Sequence, residues 1–231
     1  MLHHARRLVP AAFALALVAA CAPTKQITNV QPVDGFLPDP ALLQQGQQGQ
    51  AALVYLNPNA NWPTYTKMML DPVTIWLSAD SPLQNISPDR RQKFADALFG
   101  ELYHAASTRC TMVTEPSPGT LKVRFALVEA EASEPTLNTI STYVPQARIL
   151  STLGGYAFNS GAGVFTGSAT IEGYATDATT GSLLWQGVDK RAGANAIGSN
   201  TFNSWGDVEE AFKAWAKAFG TRMTELGVCV S

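Results

Sequence analysis

Histidine and cysteine are scarce in this chain of 231 residues: each occurs three times. His3 and His4 lie in an export-type N-terminus, so His104 is the only histidine a processed protein would keep. A catalytic zinc normally takes at least three protein ligands, and one histidine with two cysteines does not supply them. His104 lies two residues past Leu102, on the side of a helix away from its apolar stripe, which points to solvent. Charge is sparse too, at 15% of residues with 16 basic against 18 acidic, so the basic face of a nucleic-acid binder is missing. The uncharged stretch Leu8–Ala20 is 13 residues long, short of the roughly 20 that a membrane-spanning helix needs. No Gly-x-Ser-x-Gly elbow occurs. The glycine run from Gly161 to Gly167 misses dinucleotide-binding spacing by one residue and leads into a strand, whereas a phosphate loop needs a helix N-terminus.

What is present begins at the N-terminus. Arg6 and Arg7 precede the uncharged stretch, the layout of a signal peptide over residues 1–20. It ends Leu17-Val18-Ala19-Ala20-Cys21, which resembles the lipobox of bacterial lipoproteins. The order has a chemical reason: the thiol accepts a diacylglycerol at the membrane surface, and small residues before it admit the peptidase. Ala22 rather than Asp follows, which by resemblance implies the outer membrane of a Gram-negative cell. Several acyl chains of the palmitate class would make the anchor effectively permanent, at about 0.8 kcal/mol per buried methylene.

Cleavage removes two arginines and leaves 14 basic against 18 acidic residues, a formal charge of −4 over 211 residues. With Cys21 lipidated, Cys110 and Cys229 remain, outside the cytoplasm where disulfides persist. Pairing is the expectation, contributing on the order of 4–5 kcal/mol in the chain-entropy model; two separate buried thiols are the alternative.

Residues 21–50 carry Pro32, Pro38, Pro40 and a Gln/Gly run, too little apolar surface to offset ordering entropy. A flexible, lipidated tether averaging about 30 Å is expected there, unless Phe36, Leu37, Leu42 and Leu43 dock on the body. One domain follows, residues 51–231. A strand is expected near Lys67–Leu77, interrupted by Pro72, which suggests an edge or a bulge. A helix opens at Ser87-Pro88-Asp89 with Phe94, Ala95, Leu98, Phe99 and Leu102 as its buried stripe. Strands are expected at Cys110–Glu115 and Leu121–Glu131, the second half-buried, with Leu121, Val123, Phe125 and Leu127 inward and Lys122 and Arg124 outward. An irregular stretch, Pro135–Gly163, has a short helix after Pro145. The hairpin Val164–Thr176 with Leu183–Lys190 turns at Gly181. A last helix, Asp207–Leu226, begins with Ser204 and Asp207 as a capping pair and ends at Gly227. This order suits an α+β fold: a mostly antiparallel sheet with two main helices on one face.

Paired carboxylates are the remaining route to acid–base chemistry. Glu129 and Glu131 read as a solvated strand face, and Asp207, Glu209 and Glu210 complement a helix dipole. Asp189-Lys190-Arg191 at the hairpin's end, with Arg148, form a candidate binding patch for an anionic group, or pair with neighbouring acids. Leu150 and Leu153 face the core, a partner or a membrane.

Several blocks together resemble one family: Met69-Leu70-Asp71-Pro72-Val73 with Trp76, Leu137-Asn138-Thr139 with Val144-Pro145 and Arg148, Ala169 to Glu172, Asp189 to Gly193, and Trp205-Gly206-Asp207-Val208 with Ala211-Phe212 and Trp215-Ala216. The chain is similar to the uncharacterised bacterial lipoproteins grouped as domain of unknown function 3313. That resemblance implies an envelope lipoprotein and no established activity. The expectation is a non-enzymatic binding or accessory lipoprotein without cofactor, metal or nucleic acid. It would be tied to the membrane by its lipid and present its domain to an envelope protein, peptidoglycan or lipid. The alternatives are a hydrolase or transferase built on Asp71, Asp189, Arg191 and Arg148, and a ring or filament assembled through sheet edges.

Overall fold

The computed structural model describes residues 24–133, 167–193 and 204–229. The signal segment, Cys21, Arg148, Leu150, Leu153 and the short helix expected after Pro145 lie outside them.

The longest strands are β7 (Thr120–Glu131), β8 (Ser168–Asp177) and β9 (Leu183–Ala192), paired antiparallel in that order. β8 and β9 form the expected hairpin, with Gly181 at φ 73° in its turn. Along the outer edge of β9 lie, end to end, β1 (Lys25–Ile27) and β3 (Leu53–Leu56), and β2 (Gln44–Gln45) pairs with β3. Along the other edge of β7 run β4 (Lys67–Leu70) and β5 (Thr74–Ile75), both parallel to it, and β6 (Thr111–Met112) is parallel to β4. The fold is α+β and its sheet largely antiparallel; the parallel pairs arise because a helix carries the chain back to its starting end before β7.

That helix is α1 (Pro88–Ser107), and α2 (Gly206–Leu226) closes the chain. Phe94, Ala95, Leu98 and Leu102 of α1 join Val208, Ala211, Phe212, Trp215 and Met223 of α2 against Leu121, Val123, Phe125 and Leu127 of β7 in one core. Both helices therefore share one face of the sheet. Gly227, at φ 71°, ends α2 in a left-handed turn in which Val228 N–H donates to Met223 C=O at 2.9 Å. Cys110 and Cys229 form a disulfide between the ends of the two helices, with Cα atoms 5.0 Å apart.

Four expectations change. The strand near Lys67–Leu77 is two short strands, because the chain leaves the ladder at Asp71-Pro72-Val73 and rejoins it three residues further along β7, at Ala126; proline has no N–H to donate. The strand at Cys110–Glu115 contracts to β6. Ser204 and Asp207 do not cap α2, since the Asp207 carboxylate instead accepts from Gly167 N–H at 2.9 Å.

The largest change concerns the tether. From Lys25 onward the N-terminal segment is bound to the domain rather than free. It leaves β1, crosses the sheet face opposite the helices, and returns through the β2–β3 hairpin. Val30, Phe36 and Leu37 are buried against Ala126, Val128 and Val188, while Leu43 packs at the margin and Leu42 stays exposed. Phe36 contacts the rings of Trp76 and Tyr174 at 5.6 and 5.5 Å, and Trp76 Nε1 donates to Asp34 C=O at 3.1 Å. A polar, proline-rich strap can dock with so few apolar anchors because buried side chains of the sheet bind its backbone.

Candidate functional site

Alternation along β9 divides the charged cluster. Successive side chains point to opposite faces, so Asp189 and Arg191 face α2, while Lys190 faces the strap and pairs with Glu129 at 2.9 Å. The patch Asp189-Lys190-Arg191 is thus not one surface, and Arg148 falls outside the described residues. Asp71 pairs with Lys122 and Arg124, at 3.4 and 3.3 Å, on the strap side of β7.

Asp189 is 5% exposed and is a junction. Its carboxylate accepts from Trp215 Nε1 of α2 at 2.7 Å, from Ala52 N–H of the strap at 3.0 Å, from Arg191 Nε at 3.1 Å and from Gln26 Nε2 of β1. A buried carboxylate is tolerated when donors surround it, and these four belong to the helix, the strap and two strands. The site joins elements rather than presenting a free acid.

On the strap side two further polar groups are fully buried. Gln186 accepts from Asp39 N–H at 3.2 Å and donates back to Asp39 C=O. Glu172 accepts from Val33 N–H at 2.6 Å through Oε1, and its Oε2 has no partner. Burial pushes the Glu172 carboxyl up to about 7, with the Val33 N–H opposing and the nearby Glu129 charge adding to the rise. Glu129 moves the other way. Burial would raise it, but the Lys190 charge and the hydroxyl of Thr170, at 2.7 Å, hold it low. Neither Glu172 nor Gln186 stands out in the sequence. Thr170, Glu172 and Tyr174 alternate with Ala169, Ile171 and Gly173, the pattern of an ordinary solvated face, and only the strap's path makes that face an interior.

Where β7, β8 and β9 end beside α2, Asp207 lies against Gly193, where a Cβ would come within 2.3 Å of its carboxylate. Burial raises the Asp207 pKa, the Gly167 N–H counteracts it, and Glu210 adds to the rise. Two of the family-like blocks, Asp189 to Gly193 and Trp205 to Val208, meet at this contact. His104 is exposed. Among the described residues no three His, Cys, Asp or Glu side chains gather as metal ligands would.

Between α2 and the sheet runs a groove with a cavity of about 120 Å³. Its walls are mainly apolar, Trp185, Trp215 and Phe219 among them, and it takes in Asp189 and Arg191.

The sequence model described as "Protein of unknown function (DUF3313)" matches residues 32–219. The chain belongs to that family. The match starts inside the strap and ends within α2, so it spans both faces of the sheet. No curated protein matches the chain. Among solved structures it is similar to the PelC dodecamer from Paraburkholderia phytofirmans, with 11% identity over 72% of this chain and 95% of that one, at a TM-score of 0.36. A single-substitution variant of that dodecamer matches at 11% identity, the same coverage and a TM-score of 0.37. The hypothetical protein CT253 from Chlamydia trachomatis matches at 10% identity over 71% of this chain and 97% of that one, with a TM-score of 0.34.

Proposed function

We propose that this family member is a lipoprotein of the outer membrane, anchored through Cys21 and facing the periplasm, with a non-enzymatic binding or accessory role. The observation that carries the reading is Leu17-Val18-Ala19-Ala20-Cys21 at the end of an uncharged stretch preceded by two arginines. A partner class of envelope protein, peptidoglycan or lipid follows from that compartment. The absence of a catalytic role is supported by the employment of the charged groups of β9: Asp189 binds α2 and the strap, and Lys190 pairs with Glu129. No helix among the described residues is long and apolar enough to cross a membrane, so the lipid would be the attachment. Docking of the strap from Lys25 also alters the geometry of anchoring. β1 begins at Lys25, and the chain from Cys21 to that point reaches at most about 14 Å when extended, so the body would lie against the bilayer rather than stand clear of it.

Metabolic labelling with an alkyne fatty acid tests the reading. Incorporation into the parent protein and its loss in Cys21→Ser are expected, and equal labelling of both would overturn the proposal.

A further inference from the structure

The groove beside α2 has no assigned occupant. Trp62, Phe125, Trp185, Phe219 and Met223 form much of its wall, and Gln50, Asp189, Arg191 and Arg222 contribute polar groups. Asp189 is already surrounded by donors. Arg222 pairs with the exposed Glu225 at 2.6 Å, and such surface pairs contribute little. Its guanidinium can therefore turn to another anion at small cost.

Two observations point to the occupant. Arg191, in the groove wall, reaches Thr24 Oγ1 at 3.5 Å. Only Ala22 and Pro23 lie between Cys21 and Thr24, so an anchor at Cys21 keeps the groove within about 11 Å of the lipid attachment at full extension. Secondly, an extended peptide gains affinity by pairing with a free strand edge. β9, the strand along the groove, already pairs with β8 on one side and with β1 and β3 on the other. An acyl chain needs no backbone partner.

We propose that the groove seats part of one acyl chain of an anionic bilayer lipid, with Arg222 near the headgroup. The cavity, about 120 Å³, is of the order of the roughly 150 Å³ space that takes a benzene ring, so about six carbons are engaged. This assignment rests in part on lipidation of Cys21, but its test does not.

The test titrates the full mature chain carrying Cys21→Ser, and hence no lipid, with an ω-bromo fatty acid below its micelle concentration. Bromine quenches tryptophan at short range, and Trp62, Trp185 and Trp215 line the groove whereas Trp76 and Trp205 do not. Saturable quenching is expected. Ala218→Phe adds bulk in the groove from a half-buried helix position and should weaken binding about tenfold by filling the space, with an unchanged melting temperature. Arg222→Gln should weaken binding of the acid about threefold, as loss of one solvent-accessible, half-buried charge does, and leave the matching bromo-alcohol unaffected. Quenching that rises linearly without saturation, or that is equal in parent and Ala218→Phe, overturns the proposal. So does a parent dimer that Ala218→Phe dissolves, since the occupant is then a second copy. A failed labelling of Cys21 would remove the support from the anchor and leave this readout intact.

Discussion

The two faces of the sheet are covered in different ways. Under the helices lies a continuous apolar core in which α1, α2 and alternate residues of β7 and β8 interlock. Under the strap lies a smaller cluster around Val30, Phe36 and Leu37, and the strap's backbone is bound to Glu172, Gln186 and Asp189. Apolar burial is non-directional and grows with area, so the helix face tolerates small shifts. Polar clamps act at single points and leave an orphaned group when one partner goes. The strap should therefore open at a lower free energy than the helices, as a sub-global unit.

The severest break in that comparison is on the helix side. Phe212 is 1% exposed and contacts the rings of Phe94 and Trp215. Phe212→Ala is expected to cost about 3–5 kcal/mol, measured by urea unfolding with the disulfide intact. Helix amides should lose protection by about that amount, whereas strap amides, which exchange through their own lower-energy opening, should change less. Equal loss at strap and helix amides would show that the strap has no opening of its own, and the comparison would fail.

The next effect is electrostatic and belongs to the strap. The Glu172 carboxyl sits at about 7 in the folded protein against 4.5 when unperturbed, so the folded state holds a proton that the unfolded state has released between those values. Stability accordingly falls as pH rises from about 4.5 to about 7, and levels off above. The full linkage is about 3 kcal/mol at 1.36 kcal/mol per pH unit, as an upper bound. The charged groups nearby are Glu129, which adds to the shift, and Lys190, which is already paired with Glu129. Hydrogen exchange of strap amides, corrected for intrinsic rates, should show greater opening at pH 8 than at pH 5. Glu172→Gln should flatten that dependence, since its amide oxygen still accepts from Val33. A dependence as steep in the variant as in the parent would assign it to another group.

Legibility in the sequence follows the same division. α1, α2 and the β8–β9 hairpin were readable because their apolar periods, a capping serine-proline pair and the glycines at 181 and 227 are local signals. The disulfide was expected from the compartment that the lipobox implies and from the two cysteines left beside Cys21. Of the strap, Phe36 and Leu37 were visible as apolar residues able to dock, but its path was not readable. Its buried polar partners Glu172, Gln186 and Asp189 lie more than a hundred residues away, as with Val33 and Glu172 at a separation of 139, and its own composition is that of a free coil. The cluster Asp189-Lys190-Arg191 was visible as charge, but a period of two sends its middle member to the other face. Glu172 was hidden by a polar alternation that usually means solvent.

The mildest test isolates a single clamp. Gln186 is fully buried and binds both backbone groups of Asp39. Gln186→Leu keeps nearly the same volume but leaves that N–H and C=O without their partner. If they stayed buried, each would cost about 1–3 kcal/mol; peeling of the strap around Asp39 re-exposes them to water and limits the loss to about 1–2 kcal/mol. Increased exchange should therefore concentrate around Asp39, with α1 and α2 unchanged and the urea midpoint only slightly lower. A loss of several kcal/mol with helix amides deprotected would mean that the strap and the helix core unfold as one unit. The contrast between a face covered by area and a face held at points would then be wrong.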